Sequence, residues 1–469
     1  MGSAARGGNR VRPRRSRFVR ETVTMRHLLS VLFAMSLAHT CLAQINVTSL
    51  PLVCNKAGQT YVIANDLISS SGAAITVQAD NVKINGNGKT LTFGTTGLGY
   101  GILLSQSVDN LEVYNLRIVQ GTGGGRAIEN NTNGINGLSL HDLQIVSEKQ
   151  VNQPISLRSL PNTSGISITR NTISVNGTQP DSGNGIVIEG SDSKITGTVS
   201  QNTITLGNMV EAGRSACIRI TGFIVPLEVW GNTLNMHHGY QGEGVQSWNA
   251  SDNIIRDNTV NMHCMDCRGL LLDGASNGNR VFGNKIYQFS SDGFQYGIRV
   301  RYASSNNEIY NNLVQGTSSP HNRIGIYLGE EQINTWPTGP PANNRIVNNT
   351  FTCPSECISI RQASESNYFG CNKIQASEGE AIYILPYDQP IRNLSFVSNT
   401  VTVSAGNKKV IFDPFGTTSH PANPVVFCGG DIQAPHIDGV SGTDYIIQAG
   451  PCGQSCGAPS APKNLVIRK

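Results

Sequence analysis

Asp273, Arg299 and Arg301 are the sharpest concentration of chemically able side chains in this sequence, with Arg268, Tyr327 and Glu330 near them. Arginine offers a rigid fork of donors that matches a carboxylate or paired hydroxyls, and aspartate offers a carboxylate to a cation or a proton. These residues fall on short segments that open with a small residue and then alternate. The segments read Gly101-Ile-Leu-Leu, Gly185-Ile-Val-Ile, Cys217-Ile-Arg-Ile, Gly269-Leu-Leu-Leu, Gly297-Ile-Arg-Val, Gly325-Ile-Tyr-Leu, Cys357-Ile-Ser-Ile and Ala381-Ile-Tyr-Ile. Such alternation is strand-like, with successive side chains pointing to opposite faces.

Aligning the segments gives two outward columns. The first runs Glu129, Ser156, Val187, Arg219, Gln246, Leu271, Arg299, Tyr327, Ser359, Tyr383. The second runs Asn131, Arg158, Glu189, Thr221, Trp248, Asp273, Arg301, Gly329, Arg361. At about 4.8 Å per stacked strand, Arg219 to Tyr383 spans about 29 Å. Arg219, Trp248, Arg268, Tyr327, Glu330, Arg361 and Tyr383 along one straight face suit a linear polysaccharide. Aromatic rings take sugar faces, and arginines take hydroxyls or uronate carboxylates. An ordinary solvated sheet face is the competing reading, since polar and aromatic residues are normal there. The insertion that begins Gly329-Glu-Glu-Gln-Ile-Asn-Thr-Trp lies beside this face.

The elements that must position these residues recur along the chain. Asn, any residue, then an apolar residue appears at Asn115, Asn171, Asn202, Asn232, Asn258, Asn284, Asn311, Asn349, Asn372 and Asn399, with Asp142 standing in once. The gaps run from 23 to 38 residues and cluster near 27, which marks a solenoid whose coils are strands. Asn tolerates the left-handed backbone of a sharp bend, and stacked amides can bond from coil to coil. The expected fold is all-β, a right-handed parallel β-helix of about 12 coils. On these segments the chain resembles the right-handed parallel β-helix repeat family, which has the pectate-lyase-like fold, over roughly residues 75–415.

The resemblance implies more than a fold. Lyases of this type abstract the proton beside a uronate carboxylate, using a base and a cationic group, often with Ca2+. It would make Arg299 or Arg301 the base or clamp and Asp273 a Ca2+ ligand or electrostatic partner. A plain surface ion-pair network explains the same three residues. Gly297-Ile-Arg-Val-Arg301 is also similar to a substrate-binding motif of polygalacturonases, but the Asn-Thr-Asp, Asp-Asp and Gly-His-Gly motifs of those enzymes are missing.

A second cluster is His237 and His263, which share one phase of the repeat, with His238, Cys264, Asp266 and Cys267 nearby. Two His and a C-x-x-C are Zn2+ or Cu2+ ligands by type; a stacked His pair beside a local disulfide is the alternative, and no metal site is assigned. Residues 1–43 carry eight Arg against one Glu, so of the net +4 about −3 is left to the body. No nucleic-acid partner is expected from such a body. Met25-Arg-His followed by the apolar Leu28–Leu37 and small residues up to Ala43 reads as a signal peptide, so the protein is expected to be secreted or periplasmic. No later run is long enough to insert in a membrane. The ten cysteines after Cys41 suit disulfides, with Cys264/Cys267, Cys353/Cys357 and Cys452/Cys456 as close pairs. The expected division is an extension and signal peptide (1–43), an N-terminal cap (44–74), the β-helix (75–450) and a Cys/Pro-rich tail (451–469), in a monomer. The tail, Ala458-Pro-Ser-Ala-Pro-Lys-Asn-Leu-Val-Ile, is Pro-rich and then strand-like, and is similar to the linker and first strand of a fibronectin type III domain. Two functions remain open: a protein that binds a polysaccharide along this face, with cleavage of an acidic glycan by β-elimination left undecided, and a non-catalytic extracellular adhesin or surface scaffold.

Overall fold

The computed structural model describes residues 44–448, except 131–133, 148–152, 177–182, 191–193, 208–214, 223–225, 238–240, 290–292, 318–322, 330–338, 355, 362–363, 387–390 and 413–420. The chain winds as a right-handed parallel β-helix of about 12 turns. Three parallel sheets of 16, 13 and 15 strands form its walls. One turn illustrates the path: Ile254–Arg256 lies in the 16-strand sheet, Thr259–Met262 in the 13-strand sheet and Cys267–Asp273 in the 15-strand sheet. Residues 44–74 already contribute strands to all three sheets.

Alternation fills the interior. Tyr61, Ile84, Val113, Leu140, Ile168, Val199, Val229, Ile255, Val281, Ile309, Ile346, Phe369, Phe396 and Phe427 succeed one another in register along one inward column, each no more than 2% exposed. Burying each such side chain removes apolar surface worth about 1.5–3 kcal/mol. A single core therefore runs the length of the described solenoid.

The corner between the 16- and 13-strand sheets carries the expected asparagine ladder. From Asn171 through Asn202, Asn232, Asn258, Asn284, Asn312, Asn349 and Asn372 to Asn399, each backbone N–H and side-chain amide donates to the Oδ1 of the next, at 2.9–3.1 Å. The left-handed residue is not the ladder residue. It is the one before: Arg170, Gln201, Asp257, Asn311, Asn348, Cys371 and Ser398 have φ of 52–56°. Asn115, Asp142 and Asn311 thus sit one place earlier than the repeat suggested, at the bend itself, and Asn312 is the ladder member. A tight bend followed by an amide that must reach the next coil assigns these two jobs to adjacent residues. A second ladder, Asn253, Asn279, Asn307, Asn344 and Asn367, opens successive strands of the 16-strand sheet.

Small residues open strands of the 15-strand sheet for a steric reason. A Cβ on Gly269 would lie 2.6 Å from the Gly297 carbonyl oxygen and 2.7 Å from Ile286 Cγ2. The backbone there is pressed against both the next coil and the core.

Candidate functional site

Both outward columns lie on the 15-strand sheet, and the register follows the sequence alignment. Glu129, Ser156, Val187, Arg219, Gln246, Leu271, Arg299, Tyr327, Ser359 and Tyr383 pair in that order. Glu189, Thr221, Trp248 and Asp273 pair alongside, and Gly329 pairs with Arg361. Residues 24 to 32 apart in the chain thereby become neighbours. Glu330, Asn131 and most of the insertion lie outside the described residues.

The face divides into two zones. In the first, Glu189, Gly190, Arg219, Thr221, Gly222, Trp248 and Asn249 line an open groove of about 320 Å³. Its floor is glycine: a Cβ on Gly222, at φ +92°, would lie 2.3 Å from the Gly190 carbonyl oxygen. The half-buried Trp248 indole lies over Gly274, whose added Cβ would meet its Cδ1 at 2.3 Å, and Gly274 has φ +61°. Only glycine fits that backbone and that indole together. The Arg219 guanidinium sits 5.3 Å from the centre of the Trp248 ring. Arg158 reaches Glu189 at 4.0 Å on the opposite side.

The second zone is closed. Asp273, Arg268, Arg299, Arg301 and Tyr327 are all buried, with Arg299 and Tyr327 at 0% exposure. Neither an open groove nor the competing reading of an ordinary solvated face describes this zone. Outward side chains pack on one another, with Tyr296, Ile324 and Tyr327 forming an apolar cluster on the outer side of the sheet. Asp273 Oδ2 accepts a hydrogen bond from Arg301 at 2.7 Å, and Arg301 also lies 4.5 Å from the Tyr302 ring. Arg299 is held between Tyr296, at 4.7 Å, and Tyr327, at 5.0 Å. Arg268 faces Glu243 at 3.7 Å. Burial, and after it the neighbouring Arg299, press the Arg268 guanidinium below its usual range, while Glu243 pulls the other way. A catalytic role for Asp273, Arg299 or Arg301 would require this outer layer to move.

Farther along, the half-buried Arg361 donates to Glu356 at 2.9 Å, and Tyr383 donates to Glu380 at 3.0 Å. Burial, and then Glu380, push the Tyr383 hydroxyl well above its usual range. The alignment brought out the arginines but not Glu243, Tyr296 and Glu356, which hold them. Nor did it give weight to Gly190 and Gly222, which line the groove where two coils approach closely, or to Gly274, which makes room for the Trp248 indole. The signal for the latter was present: glycine stands where neighbouring coils carry bulk.

His237 and His263 stack as their shared phase suggested, at 4.6 Å and 14°, and Phe289 continues the stack at 4.7 Å. Cys264 and Cys267 form a disulfide, so neither offers a thiolate. Burial, then His237, lowers the His263 pKa. Among the described residues no three His, Cys, Asp or Glu side chains converge to hold a metal. His238 lies outside those residues. Cys353 and Cys357 are buried thiols, while Cys452 and Cys456 lie outside the described residues.

No helix among the described residues is long and apolar enough to cross a membrane. Among solved structures, the chain is similar to a PL6 alginate lyase complexed with a trisaccharide. The identity is 13% and the TM-score 0.40, over 89% of this chain and 98% of that one. It is also similar to the A-module of the mannuronan C-5 epimerase AlgE4 of Azotobacter vinelandii, at 9% identity and TM-score 0.38, over 83% of this chain and 94% of that one. Nothing about activity follows from values this low. No curated protein sequence matches. Residues 118–352, half of the chain, match the family model described as periplasmic copper-binding protein (NosD). The chain is a member of the NosD family of periplasmic β-helix proteins.

Proposed function

We propose that this protein is an exported β-helix that binds a linear acidic polysaccharide on its 15-strand sheet, entering at the groove around Trp248 and Arg219. One observation carries the reading: a half-buried tryptophan held beside an arginine in an open groove floored by glycine. An indole takes the apolar face of a sugar, and Arg219 offers a guanidinium to a uronate carboxylate. Binding without cleavage is favoured over β-elimination, because Asp273, Arg299 and Arg301 are buried and Asp273 is already bonded to Arg301.

The family description names copper, and the described residues do not fit it. Imidazoles stacked at 14° direct their in-plane nitrogen lone pairs nearly parallel rather than onto one point, and no three His, Cys, Asp or Glu side chains converge among the described residues. The adjacent sulfurs are joined in a disulfide.

The test is affinity electrophoresis with pectate, alginate and glycosaminoglycans beside a neutral glycan, together with ultraviolet absorbance for an unsaturated product. Binding to an acidic glycan, weakened about tenfold in Trp248→Ala, is expected, since aromatic contacts of this kind are worth about 1 kcal/mol or more. No absorbance should develop. Equal affinity of wild type and Trp248→Ala would remove the groove from the reading. Absorbance that disappears in Arg299→Ala would establish elimination instead.

A further inference from the structure

The seven residues that line the Trp248 groove carry one cationic and one anionic side chain, Arg219 and Glu189. Register fixes where these stand. Glu189 pairs with Thr221 and Thr221 with Trp248, so the backbones of Glu189 and Trp248 lie two strand steps apart, about 10 Å along the solenoid. Arg219 rises from the strand between them, two residues before Thr221, and holds its guanidinium against the indole. The groove therefore has one end that is cationic and aromatic and another that is anionic.

Little of the Glu189 charge is taken up by its neighbour. Arg158 stands one coil farther from Trp248, and its Nε lies 4.0 Å from Glu189 Oε2, beyond hydrogen-bond reach. Its Nη2 donates to Gln153 instead. The two side chains are 37% and 44% exposed, so water screens the pair and leaves it weak. Gly190 and Gly222 add no charge to the floor.

A pyranose ring laid on the indole, with its carboxylate on Arg219, hands the next unit along the axis to Glu189. A second carboxylate there would face a like charge, which costs about fivefold in affinity for charges about 4 Å apart in water. A neutral unit brings hydroxyl or amide N–H donors instead, and a carboxylate accepts these. We infer that the groove selects a glycan in which a uronate alternates with a neutral sugar, and that Glu189 is the residue that sets this specificity. The inference rests on the glycan-binding reading above and narrows it to one charge pattern. It sets such glycans apart from pectate and alginate, which carry a carboxylate on every unit.

Affinity electrophoresis at one fixed salt concentration tests it, with hyaluronan and heparosan, both alternating and unsulfated, against pectate and alginate of matched length. The wild type should bind the alternating glycans at least about fivefold more tightly. Glu189→Gln should bring that ratio close to one. Glu308→Gln makes the same charge change on the 16-strand sheet and should leave the ratio as it is. Pectate or alginate held by the wild type as tightly as hyaluronan would overturn the inference while leaving glycan binding intact. An equal shift in both variants would also overturn it, by tracing the preference to net charge. Failure to bind any acidic glycan would sink both readings together.

Discussion

Arg301 and Asp273 illustrate what a buried pair does to its neighbourhood. Both are within 5% of full burial, and their 2.7 Å contact offsets desolvation that either would suffer alone. Asp273→Asn should therefore destabilise the protein by about 3–5 kcal/mol in urea unfolding, because it leaves an arginine charge uncompensated in the wall. Replacing both partners by Leu and Met should cost far less. Asp142 shows the exposed counterpart. Hydrogen bonds from Arg170 and then His141 hold its carboxyl down at about 2. A depressed carboxylate stabilises the fold above its unfolded value near 3.9, and that contribution is lost as pH falls through about 2. Asp142→Asn keeps a residue tolerant of φ 55° and removes the charge. Its stability deficit should be about 1 kcal/mol or less at neutral pH, since solvent screens the half-exposed carboxylate, and should close between about pH 4 and pH 2. Thermal melts across that range, with the wild type beside the variant, read the difference.

Among elements, the ladder corner and the small-residue corner fail in different ways. Asn258→Ala removes the acceptor for Asn232 and both of its own donor contacts, all in a dry site. The orphaned Asn232 backbone amide and the lost bonds should cost about 1–3 kcal/mol. Gly269→Ala is an overpacking change, because its methyl group meets a carbonyl oxygen at 2.6 Å. It should cost about 1–3 kcal/mol as well. Crystal structures tell them apart: the first leaves the coils in place, whereas the second spreads the strands on either side. Equal displacement in both would contradict this account.

The periplasmic β-helix as a whole was legible because its period is written into residue types that neighbours repeat. Small residues at strand starts, apolar alternation and recurring asparagines gave the columns from Glu129 to Tyr383 in correct order. The ladder phase was misjudged at Asn311 because two adjacent asparagines, Asn311 and Asn312, fit the motif equally well by sequence. Burial of Arg299 and Asp273 was not legible. It depends on what lies over an outward position: Tyr296, from another column of the same strand, and Tyr327, from the next coil, flank Arg299, while Arg301 from the next coil meets Asp273. The groove was half legible: Trp248 and Arg219 stood out by type, whereas the close approach of two coils leaves only glycine as its mark.

The chain of amide bonds at one corner has a consequence for how such a molecule can change length. Every rung expects its successor at one fixed height, so a cut of arbitrary size strands the rungs on either side. Excising residues 259–284 would bring Asn258 directly beneath Asn312, which presents the same acceptor that Asn284 did. A shortened protein one storey lower should still unfold in a single cooperative step, while removal of half that stretch should give none. Growth and loss in this architecture are therefore counted in whole storeys, and variety between related chains is left to the balconies.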